Sequence, residues 1–398
     1  MSDRTIVAMP GDGIGKVVLD EAIRVLEKAG FNANYVEGDI GWEFWCSEGN
    51  PLPSRTLDLI AKHKIGLFGA ITSKPKDEAF EELAPELKNK GLVYSSPIVG
   101  LRQHFGLDIC LRPCRTFKGN PLNFIRRGPN DTIEEPEIDV AIFRQNTEGL
   151  YGGVEWSNPP ENVYNALMSH PKFSKNFGDT PVKEISVSTR IFTKKYTERI
   201  LRAAFEHAKK YGYKSVTVCE KPNVIRETSG MMYKMAQQIQ KTDYSNIELW
   251  NTNIDAQMMW LTKNPENYGV IVAGNMFGDI VSDGFAGLIG GLGFATSAQY
   301  NPETGIGVFE PTHGSAPKYA DYKTSIVNPI AMIETSCMML DFINEQEIAK
   351  KIRQAVSDVI QEGNVQTYDM AKMSGRSDVI EKGAASTVQM AQAIIDKL

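Results

Sequence analysis

Short β-rich runs separated by long helical patterns are the feature that most limits what this chain can fold into. Residues 5–8, 140–143, 215–219 and 270–273 have the composition of strands. Between them, 16–29 places Val18, Ala22, Val25, Leu26 and Ala29 at helical spacing and stops at Gly30. Residues 188–211 repeat the pattern with Phe192, Tyr196, Ile200, Ala204 and Phe205 before Gly212. Repeated β–α alternation predicts an α/β fold with layered helices. Two stretches break the rhythm. Residues 156–182 are rich in Pro, Asn and Ser without a clear period, as expected of a loop or an added subdomain. Residues 284–307 are Gly-rich and apolar, as expected of close packing and turns. No repeat or flexible linker interrupts the chain, so a domain boundary has to lie inside continuous structure.

Composition narrows the function classes. The 398 residues are enough for two or three domains, and Lys plus Arg number 43 against 49 Asp plus Glu, a formal charge of −6. An acidic balance argues against general nucleic-acid binding and against an anionic membrane surface, while leaving room for a local cationic pocket. No apolar run of ~18 residues is found, and the N-terminal segment lacks the apolar stretch of a secretory signal, so a cytoplasmic protein is expected. The five cysteines, Cys46, Cys110, Cys114, Cys219 and Cys337, are odd in number and form no CxxC, which disfavours a disulfide framework or a zinc ribbon.

Several segments carry chemistry. PGDGIG at 10–15 lies between a strand and a helix, one residue short of a Walker A loop and with its third glycine one residue early for a dinucleotide fingerprint. Glu37 lies roughly where a ribose-binding acid would be, so a phosphate loop and a plain tight turn both stay open. Arg102 in SSPIVGLR, Arg112 in DICLRP and Arg144 in VAIFRQNTE could grip carboxylates in bidentate geometry or serve as structural ion pairs. Asp279 and Asp283, four apart after a strand, put like charges on one helix face, which suits a bound magnesium or manganese ion or a solvated acidic face. Lys221 ends a strand, where α/β active sites collect, and a lysine near a cation can serve as a base; a surface lysine is the plainer option. Tyr151 by itself suits a packed aromatic. FEPTHGSAPKY at 309–319 is polar and loop-like and holds His313 beside Gly314.

Taken in order, SSPIVGLR, LRP, FRQNTEGLYGG, EKPN, NMFGDIVSD and EPTHGSAP resemble the β-decarboxylating dehydrogenases, among them isocitrate, 3-isopropylmalate, homoisocitrate and tartrate dehydrogenases. The resemblance runs almost end to end, from PGDGIG to the region of Tyr368. It implies a two-domain α/β fold that is not a Rossmann fold. The large cofactor-binding domain would span 1–107 and 292–398, and the small domain 108–291, with a dimer clasp at about 156–182.

The implied chemistry is oxidation of a 2-hydroxy acid followed by loss of its β-carboxylate as CO2. By this resemblance Arg102, Arg112 and Arg144 hold substrate carboxylates. Asp279 and Asp283 bind Mg2+ or Mn2+ together with Asp255 contributed across a homodimer. Lys221, also contributed across the dimer, takes the hydroxyl proton, and Tyr151 protonates the carbon. Ser96 matches the serine that isocitrate enzymes use for a third carboxylate, although those enzymes usually have Asn two residues later, where this chain has Ile98. SSPIV also resembles homoisocitrate enzymes. Lys318 and Tyr319 stand where NAD enzymes place a carboxylate, with Tyr368 and Lys372 at the other phosphate contacts, which implies NADP. His313, Gly314 and Asn328 would meet the adenine side, and Glu310 and Thr72 the nicotinamide side. The expected reaction is therefore isocitrate to 2-oxoglutarate with NADP; the alternative is homoisocitrate or 3-isopropylmalate oxidation with NAD.

Overall fold

A computed structural model describes residues 4–398. One ten-stranded sheet runs through the chain. From edge to edge its strands are Glu248–Asn253, Ser215–Glu220, Val270–Ala273, Asp139–Gln145, Ile109–Arg115, Thr296–Asn301, Ile306–Pro311, Ile65–Ala70, Thr5–Gly11 and Asn34–Glu37. The first four are mutually parallel, and so are the last four. Ile109–Arg115 and Thr296–Asn301 join the two blocks through antiparallel pairings on both sides. The blocks therefore run in opposite directions, and the junction is a place where strand direction switches, where α/β proteins gather ligand sites.

The inner strands are buried on both faces, which is why Ile65–Ala70 and Val270–Ala273 are continuous apolar runs and not alternating ones. Helix Gly15–Lys28 lays Val18, Leu19, Ala22, Val25 and Leu26 against the sheet. Each such buried aliphatic contributes roughly 1.5–3 kcal/mol. Helices Ile330–Phe342 and Gln346–Glu362 extend the same core, and Lys194–Tyr211 and Thr228–Asp243 cover the other block. Among the described residues no helix is long and apolar enough to cross a membrane.

One expectation is corrected and two are filled in. The helix expected over 188–211 begins only at Lys194, because the Thr193 hydroxyl accepts the Tyr196 N–H (3.5 Å) and Ser186–Ser188 pairs as a strand with Glu155–Ser157. The aperiodic 156–182 stretch holds two helices, Glu161–Met168 and Pro171–Phe177; neither buries a residue, so no apolar face marks them. The Gly-rich 284–307 stretch holds the end of a helix and the strand Thr296–Asn301, with Ile306–Pro311 beginning as it closes.

Candidate active site

Sheet register assembles the centre of the site. Gln299, Cys110 and Arg144 are direct cross-strand partners on three neighbouring strands, and Arg112 lies two residues along from Cys110. Helix Asn275–Leu288, which follows strand Val270–Ala273, crosses this row. Gly278 permits the approach, since a Cβ there would lie 2.8 Å from the Cβ of Arg144. The helix brings Asp279 to both arginines. Arg112 Nη1 donates to Asp279 Oδ1 (3.0 Å), Ser282 Oγ (2.8 Å) and Asp283 Oδ1 (3.4 Å). Arg144 Nη1 also donates to Asp279, and its Nε donates to Asn275 Oδ1 (3.0 Å). Arg102, in helix Pro97–Phe105, reaches Gln299 Oε1 (2.5 Å) and Glu310 Oε1 (3.3 Å).

All three arginines are buried. Burial, with Arg112 and Arg102 nearby, pulls the Arg144 guanidinium down to about 10, so it stays protonated at neutral pH. Burial also opposes the charge on Arg112, but Cys110, Asp279, Asp283 and Glu310 outweigh it and hold the group above its ordinary value. The Nε of Arg112 is buried and meets no acceptor among the described residues. A buried guanidinium donor left open in this way suits an anion that arrives from outside the chain.

Tyr151 stands at the rim, half exposed, with its hydroxyl 3.4 Å from Asp279 Oδ2 and its ring 5.7 Å from the Arg144 guanidinium. Burial and Asp279 raise its phenol above the ordinary value, so it is protonated at neutral pH. Ser96 immediately precedes Pro97–Phe105, makes no side-chain capping hydrogen bond, and is half-buried. Lys221 lies elsewhere. It follows strand Ser215–Glu220 and pairs with Asp255, at the start of helix Ile254–Trp260. That contact holds the exposed Asp255 carboxyl below its ordinary value. Among the described residues no ion pair joins Lys221 and Asp255 to the arginine cluster.

On the other side, the loop after strand Ile65–Ala70 carries Thr72. Its N–H donates to Asp12 Oδ2 (2.7 Å), its Oγ1 meets Ser315 Oγ (2.6 Å), and its carbonyl accepts from Tyr94 (2.9 Å). Asp12 belongs to PGDGIG, and this decides between the two options for that segment. Gly11 has φ +70°, a Cβ there would collide with the Ala70 carbonyl, and Ile14 N donates to Ser315 O (2.9 Å). The turn is packed against its own chain and is no open phosphate cradle. His313 Nδ1 sits 3.0 Å from Gly314 O; its Nε2 is buried without a partner, and burial lowers its pKa. Asn328 donates to Asp369 Oδ2 (3.1 Å). Tyr319 lies 5.5 Å from Tyr368 and 5.7 Å from Tyr322, ring to ring, with Lys318 5.4 Å above its ring. Lys372 is exposed in the turn that follows Tyr368.

A family model described as isocitrate/isopropylmalate dehydrogenase matches residues 5–394. The chain belongs to the isocitrate/isopropylmalate dehydrogenase family. Protein DlpA of Legionella pneumophila is 38% identical over 393 residues, covering 98% of this chain; the chain spans 58% of the length of that protein. Homoisocitrate dehydrogenase of Methanocaldococcus jannaschii is 38% identical over 351 residues, covering 88% of each. The crystal structure of isocitrate dehydrogenase from Methylococcus capsulatus superposes with a TM-score of 0.80 at 33% identity, covering 99% of both chains.

For an isocitrate/isopropylmalate dehydrogenase family member, the donor chemistry fits a hard divalent cation: Asp279 and Asp283 offer only oxygens, one helical turn apart. No group of three ligating side chains forms among the described residues, so a full shell needs donors beyond that pair. The open His313 Nε2 and the lysines beside the Tyr319–Tyr368 pair fit a nucleotide. Reasoning from sequence did not find Gln299, Asn275 or Asp12. Their parts depend on register and on contacts across the fold, and Asp12 alone gave a signal, through its glycine-rich turn.

Proposed function

We infer that this chain oxidises isocitrate at its hydroxyl carbon and releases the β-carboxylate as CO2, giving 2-oxoglutarate, with NADP as hydride acceptor. The observation that carries this reading is the buried trio Arg102, Arg112 and Arg144 with the open Nε of Arg112. Three fixed cations close together favour a polyanion, and Ser96 offers a hydroxyl for a third carboxylate. When bound, a divalent cation would supply positive charge to the oxygens of the acid and the nicotinamide would take the hydride.

The chain's own residues do the rest. Arg102, Arg112 and Arg144 orient the carboxylates, and Asp279 and Asp283 would hold the cation with Asp255 of a second copy. Lys221 of that second copy takes the proton from the substrate hydroxyl oxygen. Tyr151, which keeps its phenolic proton at neutral pH, gives that proton to the carbon left by CO2. Lys318 and Lys372, with the Tyr319 and Tyr368 hydroxyls, suit the phosphate that distinguishes NADP. On this reading the protein is a homodimer with shared sites, works in the cytoplasm, and divides into a cofactor domain (1–107 and 292–398) and a substrate domain (108–291).

Ile98 favours a second reading. It is partly buried against an apolar cluster beside Ser96, which suits a substrate with an extra methylene, homoisocitrate, or an apolar tail, 3-isopropylmalate, with NAD. The test is the rate of nicotinamide reduction with Mg2+ for each of the three acids and each cofactor. A dominant isocitrate–NADP rate supports the first reading. A dominant rate with another acid means that Ile98 outweighs Ser96, and an NAD preference means that Lys318 does not reach the phosphate.

A further inference from the structure

One fully buried carboxylate has no part in the chemistry above. Glu220 ends the strand Ser215–Glu220, immediately before Lys221, and none of it reaches solvent. Its Oε1 accepts the Gly274 N–H (2.8 Å), and its Oε2 accepts from Arg190 Nη2 (2.8 Å) and Ser229 Oγ (2.5 Å). The Ser229 oxygen in turn accepts from Arg190 Nη1 (3.0 Å) and from the backbone N–H of Lys221 (3.4 Å). Arg190 Nη1 also donates to Thr228 Oγ1 (2.9 Å), and its guanidinium lies 4.6 Å from the Phe192 ring and 5.0 Å from the Phe277 ring.

The network meets four pieces of chain. Arg190 lies two residues beyond the hairpin strand Ser186–Ser188. Glu220 is the residue before Lys221. Gly274 precedes the helix Asn275–Leu288, which carries Asp279 and Asp283, and Ser229 opens the helix Thr228–Asp243. A buried ion pair contributes little net stability compared with an apolar replacement of the same volume, but it fixes the groups it bonds in direction and distance.

We propose that Glu220 and Arg190 are positioning residues: through Ser229 and Gly274 they fix the Lys221 segment, which serves the second copy's site, against the Asp279 helix, which serves this chain's own, and against the strand Ser186–Ser188. This rests on the assignment of Lys221 as the base.

The test uses two variants of the full chain and the acid it turns over fastest. The double substitution Glu220→Gln with Arg190→Met removes both charges together and leaves neither unpaired. Ser229→Ala keeps both charges and removes the hydroxyl that links Glu220 and Arg190 to the Lys221 backbone. Lys221→Met is the control, and kcat, KM and the thermal midpoint are read for each. A small misplacement of a reacting group costs on the order of a hundredfold, so kcat is expected to fall about 100-fold in the double variant and several-fold in Ser229→Ala. KM is expected to hold within about threefold, since no proposed substrate-binding residue is changed, and the thermal midpoint within a few degrees, since a buried pair replaced as a whole costs little net stability. If the double variant does not fold, Ser229→Ala decides by the same criterion. Unchanged kcat beside an inactive Lys221→Met overturns the proposal alone, as does a loss of kcat that only follows a loss of thermal stability. A fully active Lys221→Met removes the base assignment and the proposal with it.

Discussion

At the proposed substrate end of the site, the arginines are already met by polar partners within the chain. Asp279 takes hydrogen bonds from Arg112 and Arg144, and Glu310 from Arg102. At the proposed cofactor end, Lys318 and Lys372 are exposed, and among the described residues neither forms an ion pair; Lys318 lies against the Tyr319 ring. On the proposed assignment, the difference teaches that the two ends would select ligands differently. A ligand at the first end has to replace or join an existing charge network in a dry environment, where geometry is strict and errors cost much. A ligand at the second end meets solvated cations on a tyrosine platform, where affinity is tuned by a few exchangeable contacts.

The largest effect that could break this comparison is expected from Arg144. Arg144→Met removes a buried cation that contacts Asp279 and Asn275, and kcat/KM should fall by about 10³-fold. A variant that keeps a tenth of the parent activity would show that the network tolerates loss. Lys221→Met should lower kcat by about 10²–10⁴-fold with little change in KM, as expected for loss of a proton acceptor. Comparable losses in KM would make it a binding residue instead.

Tyr151→Phe sharpens the comparison at the rim. Its phenol is held above the ordinary value of 10.0, so the folded protein keeps the proton as pH rises through that value. Removing the donor should lower kcat by about 10²-fold while leaving any alkaline limb below pH 10 in place. A limb that disappears in the variant would mean that Tyr151 titrates there. At the cofactor end, Lys318→Asp should cut kcat/KM for NADP by about 10–100-fold and leave that for NAD nearly unchanged. Equal losses with both cofactors would place Lys318 away from the phosphate.

The smallest expected effect concerns the metal. Mg2+ at about 100 times its dissociation constant should stabilise the folded chain by about 2.7 kcal/mol, raising the thermal midpoint by a few degrees. Asp279→Asn should abolish that rise. A rise that persists would locate the ion elsewhere.

The α/β class was legible in the chain, and several residues of the proposed site stood out because they lie in short, recognisable segments near strand ends. Arg144 closes an apolar strand, and Asp279 follows one. The partners that set their geometry were not legible. Gln299 meets Arg102 only because Thr296–Asn301 pairs with Ile109–Arg115, and that strand was hidden in a Gly-rich stretch whose two buried faces erase alternation. Glu220 and Arg190 are thirty residues apart, and neither is unusual until the fold buries them together. The helices within 156–182 left no periodic trace because no face of them is buried in this chain.

The most direct test of the central claim is the ratio of CO2 released to nicotinamide reduced when the purified protein meets isocitrate, NADP and Mg2+. One CO2 for each NADPH is the predicted result, because the arginine cluster orients the acid so that oxidation commits it to loss of the β-carboxylate. NADPH without CO2, or no NADPH from isocitrate under these conditions, would contradict the account.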